Sequence, residues 1–160
     1  MGKETLLTKE GYRIKKAELE ELEHRLYHEI PERLKEAKEH GGGDLRENKE
    51  YIWLKQEQEM LENEVRSLRE LLENARIISE GDIRSDVVGI GTRAILEDAE
   101  TGEVATYTLV PPAEVDLLRG KISIDSPVGL ALQSYGKGKA IRVQAPAGKV
   151  QYKILGIERG

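Results

Sequence analysis

The 160-residue chain contains no cysteine and no phenylalanine, one tryptophan, two methionines and five prolines. Without cysteine there is no disulfide framework, and zinc sites built on thiolates are excluded. Aromatic residues make up 4% of the chain, which is lean for one large core and ordinary for a coiled coil joined to a small globular domain. No stretch approaches the roughly 18 apolar residues of a membrane span. The opening Met-Gly-Lys-Glu-Thr-Leu-Leu-Thr-Lys lacks the apolar run of a signal peptide. The expectation is a cytoplasmic protein with no membrane contact. A basic excess is also missing. The net charge is −5, with 15 Lys/Arg against 20 Asp/Glu in residues 1–80 and 10 against 10 in residues 81–160. Bulk attraction for nucleic acid needs a basic face, so any such contact must be local.

Charged residues make up 34% of the chain, and in the first half they alternate with apolar residues at helical spacing. Thr8 is a candidate helix N-cap. Leu19, Leu22, Leu26, Ile30, Leu34 and Ala37 then recur at intervals of 3, 4, 4, 4 and 3, one apolar stripe on a helix. Glu21 and Arg25 stand at a spacing that allows an ion pair along that helix. Pro31 removes one backbone bond and predicts a bend near Tyr27–Pro31, because the stripe resumes in register at Leu34. A second stripe runs Tyr51, Leu54, Gln58, Leu61, Val65, Leu68, Leu72 and Ala75. Between the two lie Gly41, Gly42 and Gly43. Three glycines cannot continue a helix, since each costs about 1 kcal/mol there relative to alanine. The chain must turn. The two stripes then bury each other as an antiparallel helical hairpin with its tip at 40–48, each arm about 45 Å long. A dimerising coiled coil is the rival reading of such stripes, but the glycine break favours pairing within the chain, and a monomer is expected.

The second half changes character. Residues 80–86 read as a linker and 87–160 as a second domain after a hairpin domain over 1–79. Gly91–Glu97 and Glu103–Val110 are predicted strands around a turn at Asp98–Gly102. Lys121–Asp125 is a short strand. Ser126 then caps a helix whose first residue is Pro127 and which runs to about Ser134. Lys139–Ala145 and Lys149–Ile157 meet across Pro146-Ala147-Gly148. The fold class is α+β in two domains, the second a mostly antiparallel sheet with one helix on one face. Its few aromatics, Tyr107, Tyr135 and Tyr152, do not suit a small-molecule pocket. It reads as a docking surface.

Asp44 and Glu47 stand three apart at the expected start of the second helix. Asp is a preferred N-cap, and Glu at the third position completes a capping-box-like arrangement that suits the helix dipole. Two carboxylates at an exposed tip can also ligate Mg²⁺, which typically takes one or two protein carboxylates and fills its remaining positions with water and phosphate oxygens. Capping and ligation are compatible, and both stay open on the residues alone. His24 and His28 have a spacing that can hold zinc, but no third ligand is evident, so they read as exposed side chains.

The run Gly43-Asp44-Leu45-Arg46-Glu47-Asn48-Lys49-Glu50-Tyr51 resembles the tip of the GreA/GreB family of bacterial transcript-cleavage factors, whose pattern is Gly-Asp-Leu-(Lys/Arg/Ser)-Glu-Asn-Ala-Glu-Tyr. Leu7–Tyr12, Asn74–Ile78, Ile122–Leu132 and Val143–Gly148 are similar to further stretches of that family in the same order. The resemblance implies an FKBP-like second domain without isomerase activity, docking at the rim of the bacterial RNA polymerase secondary channel through Asp125, Ser126 and Pro127. It implies a hairpin threading the channel, with Asp44 and Glu47 as catalytic groups that help hold a Mg²⁺ shared with the polymerase and orient the attacking water. Lys38 and Lys55 match positions that contact the RNA 3′ segment. On the residues alone both are solvated helix charges, and lysine lacks the bidentate geometry of the arginine often found there. On this reading the chain is not itself an enzyme. It lends carboxylates to the polymerase, which cleaves backtracked RNA, and it binds no cofactor alone.

The sequence departs from that pattern in having three glycines where the family has one. Two added residues bear on the placement of catalytic groups, where an error of about 1 Å costs roughly a hundredfold. Pro31 and Trp53 bear on the shape of the rod. Two rivals follow: a channel-binding regulator that inhibits the polymerase without RNA cleavage, and a structural coiled-coil adaptor whose acids are only caps.

Overall fold

The computed structural model describes residues 4–146 and 148–160. Met1–Lys3 and Ala147, the latter in the turn expected between the last two strands, lie outside the described residues. Strand β1, Thr5–Leu7, pairs with β2, Ala75–Ile77, in a two-stranded sheet. Between them the chain forms helices α1 (Lys9–His24), α2 (Ile30–Gly41) and α3 (Lys49–Glu73). Tyr12–Ala75 form one compact unit, and Leu6–Gly11 with Arg76–Gly160 form another.

In the first unit the two stripes face each other. Leu26, Ile30 and Ala37 are buried against Leu54, Leu61 and Val65, with Leu19, Leu22, Leu34 and Tyr51 packed around them. The apolar period thus produces the expected antiparallel pair, because neither helix can bury its stripe alone. Gln58 and Leu72 are only partly buried, and Leu68 completes the buried set on α3.

Pro31 acts upstream of itself. A π-helical turn, Arg25–Glu29, joins α1 to α2, and the Ile30 N–H donates to the Arg25 carbonyl five residues back. Proline has no N–H and its ring clashes with the carbonyl four residues earlier, here that of Tyr27. Widening the ladder at this point relieves the clash while backbone angles at His24 and Ile30 stay helical. The chain passes on, and Leu26 and Ile30 both remain buried. Arg25 pairs across the hairpin with Glu57, Nη2 to Oε1 at 3.0 Å, rather than with Glu21 along its own helix. Arg69 likewise reaches back to Glu23 at 3.0 Å and to the Tyr27 hydroxyl at 3.1 Å.

The second unit is a five-stranded sheet in the order β5-β4-β3-β7-β6. Its strands are β3 (Thr92–Asp98), β4 (Val104–Val110), β5 (Lys121–Ser123), β6 (Ala140–Ala145) and β7 (Gly148–Arg159). All neighbours run antiparallel except β4 and β5, which are parallel. The expected turn forms at Asp98, whose Oδ1 accepts from Glu100 N at 2.8 Å and from Thr101 N at 3.3 Å. Alternation places Ala94, Leu96, Ile141, Val143 and Ile154 on one face, where they pack with Leu109, Ile122 and Val88. Helix α4, Pro127–Leu132, brings Leu132 to that face. Gly129 is the point of close approach, since a Cβ there would fall 2.3 Å from the Ser123 carbonyl oxygen. This is the expected α+β architecture: a helical hairpin and a mixed sheet with one helix.

Candidate functional site

The tip is built by a division of labour among its glycines. Helix α2 ends at Gly41, and Gly42 and Gly43 follow with φ of +51° and +73°, a region that suits residues without a Cβ. Gly41 serves a different purpose. A Cβ on it would lie 1.9 Å from Asn48 Nδ2. The bare backbone lets the Asn48 side chain donate to the Ala37 carbonyl at 3.0 Å while accepting from Tyr51 N at 3.0 Å. Asn48 therefore closes the end of α2 and caps α3 with one amide group.

This changes the expected start of the second helix. Asp44 caps a separate 3₁₀ turn, Leu45–Glu47, and α3 begins only at Lys49 with Asn48 as N-cap. Asp44 and Glu47 are not a capping box on α3. They stand at the two ends of the 3₁₀ turn, joined by a bond from Glu47 N to the Asp44 carbonyl at 3.1 Å. Both are exposed.

The Asp44 carboxylate is occupied. Its Oδ1 accepts from Arg46 N at 2.9 Å and from Arg46 Nε at 3.1 Å, and its Oδ2 accepts from Nε at 3.1 Å and Nη2 at 2.8 Å. The Arg46 guanidinium, and secondarily its backbone N–H, hold the Asp44 carboxyl below its usual range. The Glu47 carboxylate makes no hydrogen bond or ion pair among the described residues. Two hard oxygen ligands suit Mg²⁺ in kind. Among the described residues no group of three or more His, Cys, Asp or Glu could hold a metal ion. The tip thus offers two carboxylates of a kind that could ligate a metal ion, that of Asp44 engaged by Arg46. His24 and His28 are exposed, their ring centroids 5.1 Å apart with the planes tilted by 35°.

Lys38 lies exposed on α2. Lys55 lies exposed on α3, its Nζ donating to Gln58 Oε1 at 3.1 Å. An open groove of about 610 Å³ runs along α3 from the tip, with Leu45, Tyr51 and Ile52 as apolar lining and Arg46 and Lys55 as cations on it. The geometry thus brings Lys55 to the same groove as Arg46. Trp53 on the same helix is 53% exposed, with the Arg33 guanidinium 5.6 Å from its ring centroid.

In the sheet unit, Asp125 and Pro127 are exposed and Ser126 is half-buried. Ser126 Oγ accepts from Gly129 N at 3.1 Å and donates to the Ser123 carbonyl at 2.7 Å. The expected helix cap is therefore formed, and it presents Asp125 and Pro127 on either side. Leu117 and Leu118, which the sequence reading passed over, are 75% and 101% exposed. No periodicity marks them, since they sit in an isolated 3₁₀ turn. Arg46 and Asn48, which pair with Asp44 and bridge the two helices at the tip, were also missed. The signals for them are an arginine two residues after an aspartate in a glycine-rich turn, and an asparagine directly before a helical run.

A helical hairpin with two exposed acids at its tip, followed by a mixed sheet domain, defines a two-module class of protein. The family described as "Transcription elongation factor, N-terminal" matches residues 5–77, and that described as "Transcription elongation factor, GreA/GreB, C-term" matches residues 83–159. The chain is 41% identical over 157 residues to transcription elongation factor GreA of Syntrophomonas wolfei, covering 98% of each chain. It is 42% identical over 159 residues to that of Thermosipho melanesiensis, covering 99% of each. It is also 32% identical to GreA factor homolog 1 (Gfh1) of Thermus thermophilus, whose crystal structure aligns over 98% of this chain and 99% of that one with a TM-score of 0.45. The chain belongs to the GreA/GreB family of transcription elongation factors. No helix among its described residues is long and apolar enough to cross a membrane.

Proposed function

We propose that this chain binds in the secondary channel of bacterial RNA polymerase and stimulates the polymerase's own cleavage of backtracked RNA. The observation that carries the reading is the pair Asp44 and Glu47, exposed at the two ends of a 3₁₀ turn at the tip of a helical hairpin. Two carboxylates bind Mg²⁺ weakly alone and complete a site that a partner supplies in part. The bound ion would polarise a phosphate oxygen and lower the pKa of a water. The chain's own part is to carry two oxygen donors on a narrow support and to hold them where the polymerase's ligands converge. It is then not an enzyme alone but lends catalytic groups in trans. Lys55, on the groove beside the tip, and Lys38 supply positive charge to the RNA 3′ segment. Asp125, Ser126 and Pro127 form the docking loop at the channel rim, and the exposed Leu117, Leu118 and Leu130 suit the sheet unit to an apolar protein contact. The protein acts as a monomer in the cytoplasm, with Mg²⁺ held only in the complex.

A second reading has one observation in its favour. Asp44 is paired with Arg46, and a tip whose carboxylate stayed paired would occupy the channel and inhibit synthesis without cleavage. A stalled, backtracked elongation complex separates the two. With Mg²⁺ and this protein, short 3′ RNA fragments are expected, and Asp44→Asn and Glu47→Gln each abolish them while binding persists. Slower RNA synthesis with no fragments would establish the inhibitory reading. No effect on a polymerase that the protein does not bind would overturn both.

A further inference from the structure

Each oxygen of the Asp44 carboxylate accepts from the Arg46 guanidinium, at 3.1 Å from Nε to Oδ1 and at 3.1 and 2.8 Å from Nε and Nη2 to Oδ2. The donor lies only two residues along the chain, so closing the ring orders few bonds. The planar fork matches a carboxylate in a way an ammonium does not. A cation approaching Asp44 therefore meets a positive charge already seated on the atoms it needs. The Arg46 side chain is 89% exposed, and among the described residues its guanidinium bonds only to Asp44, so it can swing into water when displaced. The bond from Arg46 N to Oδ1 at 2.9 Å does not have to break for Oδ2 to change partner, so the 3₁₀ turn survives the exchange. Glu47, by contrast, has a carboxylate with no competing partner among the described residues.

We infer that Arg46 is a positioning residue that locks Asp44 in the free protein: its guanidinium holds the carboxylate pre-aimed and closed, and a divalent cation gains Asp44 only by displacing it. The inference rests on the reading of Asp44 as a cation ligand given above. Its consequence is that the tip resists stray cations in solution and opens only where further ligands add to the pull, which sets the Mg²⁺ level at which the tip becomes competent.

The test uses the full-length protein alone, with Mn²⁺ as the probe, since it takes the same carboxylate ligands as Mg²⁺ and broadens nearby amide signals. The broadening of the Arg46 and Glu47 amides is followed as Mn²⁺ is added. Arg46→Gln and Arg46→Lys are both expected to lower the half-saturating Mn²⁺ concentration by roughly two- to fivefold, the range that an exposed ion pair supports. Asp44→Asn is expected to remove most of the broadening. Arg46→Lys decides the mechanism, because it keeps the charge and removes the fork. Tightening in Arg46→Gln but not in Arg46→Lys would mean simple charge repulsion and would overturn the lock, as would no change in either variant. Broadening that persists in Asp44→Asn would also overturn it. In the backtracked complex the same two variants are expected to reach half-maximal cleavage at lower Mg²⁺. Failure of every form to cleave, with the Mn²⁺ shifts intact, would remove the transcript-cleavage reading and leave the lock standing.

Discussion

Glu114 accepts two hydrogen bonds from Thr8, one from its backbone N–H at 2.7 Å and one from its hydroxyl at 2.6 Å. The Thr8 hydroxyl in turn accepts from Gly11 N at 3.0 Å, so it caps α1 as its residue type suggests while donating to a carboxylate. Gly11 is buried beneath that carboxylate, and a Cβ there would lie 2.1 Å from the Glu114 Cδ. All three residues belong to the sheet unit. Glu114→Ala is expected to cost about 1–3 kcal/mol, the range for losing bonds to a charged acceptor. Gly11→Ala is expected to push the carboxylate aside and reproduce most of that loss. Amide exchange at Thr8 and Gly11 is the measurement: both amides should exchange faster in either variant, and unchanged exchange in Glu114→Ala would show that the bonds contribute nothing.

Asn48 joins the two ends of the tip, so its removal is expected to loosen both. Asn48→Ala should cost about 1 kcal/mol for the lost cap on α3 and leave the Ala37 carbonyl to water. Asn48→Asp keeps an acceptor for Tyr51 N and loses the donor to Ala37, so it should fall between wild type and alanine. Gly41→Ala attacks the same contact from the other side, at the 1.9 Å approach. Since Asp44 and Glu47 stand just before Asn48, all three variants should reduce RNA cleavage more than they reduce polymerase binding. Thermal melts, cleavage rates and binding measured on the same preparations check this. Full cleavage by Asn48→Ala would show that the bridge does not position the acids.

The helical hairpin was legible because its stripes keep a strict 3-and-4 rhythm on both sides of three glycines, and the sheet's first turn because Asp98 and Gly102 bracket it. Ser126 followed by Pro127 named the cap of α4. Other features depend on what lies across space. Both Asp44 and Asn48 are good caps, and only the reach of Asn48 to Ala37 on the preceding helix decides that α3 starts at Lys49. Arg25 has Glu21 within reach along its helix, but the partner helix offers Glu57. The effect of Pro31 falls on Arg25–Glu29 because the clash is with an earlier carbonyl. The direction of β5 was not readable, since a three-residue strand after a polar connection pairs equally well either way. At the candidate site the acids were visible, and the arginine that covers one of them was not.

Leu54 is fully buried between the two arms of the hairpin, whereas Met60, six residues along the same helix and on its outer face, is 63% exposed. Leu54→Ala is expected to cost about 2–5 kcal/mol, the lost transfer energy plus the cavity left behind. Met60→Ala is expected to change stability by less than about 0.5 kcal/mol, as surface substitutions do. Urea unfolding followed by helical circular dichroism compares them. Equal losses would mean that the stripe is not the core of the hairpin.

Tyr152 gives the sheet unit a dependence on alkaline pH. It lies on β7 between Asp98 of β3 and Ile141 of β6, partly buried against the core. Burial raises its phenol above the ordinary value, and Tyr107 and the Asp98 carboxylate add to the rise. A raised value means that the fold favours the neutral phenol. That contribution is fully present below the unfolded value of about 10, and it is lost as pH rises through the folded value. Absorbance titration should therefore find one tyrosine ionising later than free tyrosine, and Tyr152→Phe should remove it. Wild-type stability to denaturant should decline as pH rises above about 10 more steeply than that of Tyr152→Phe, whose phenyl ring does not ionise. Parallel curves would place the phenol in water and contradict its packing against β6.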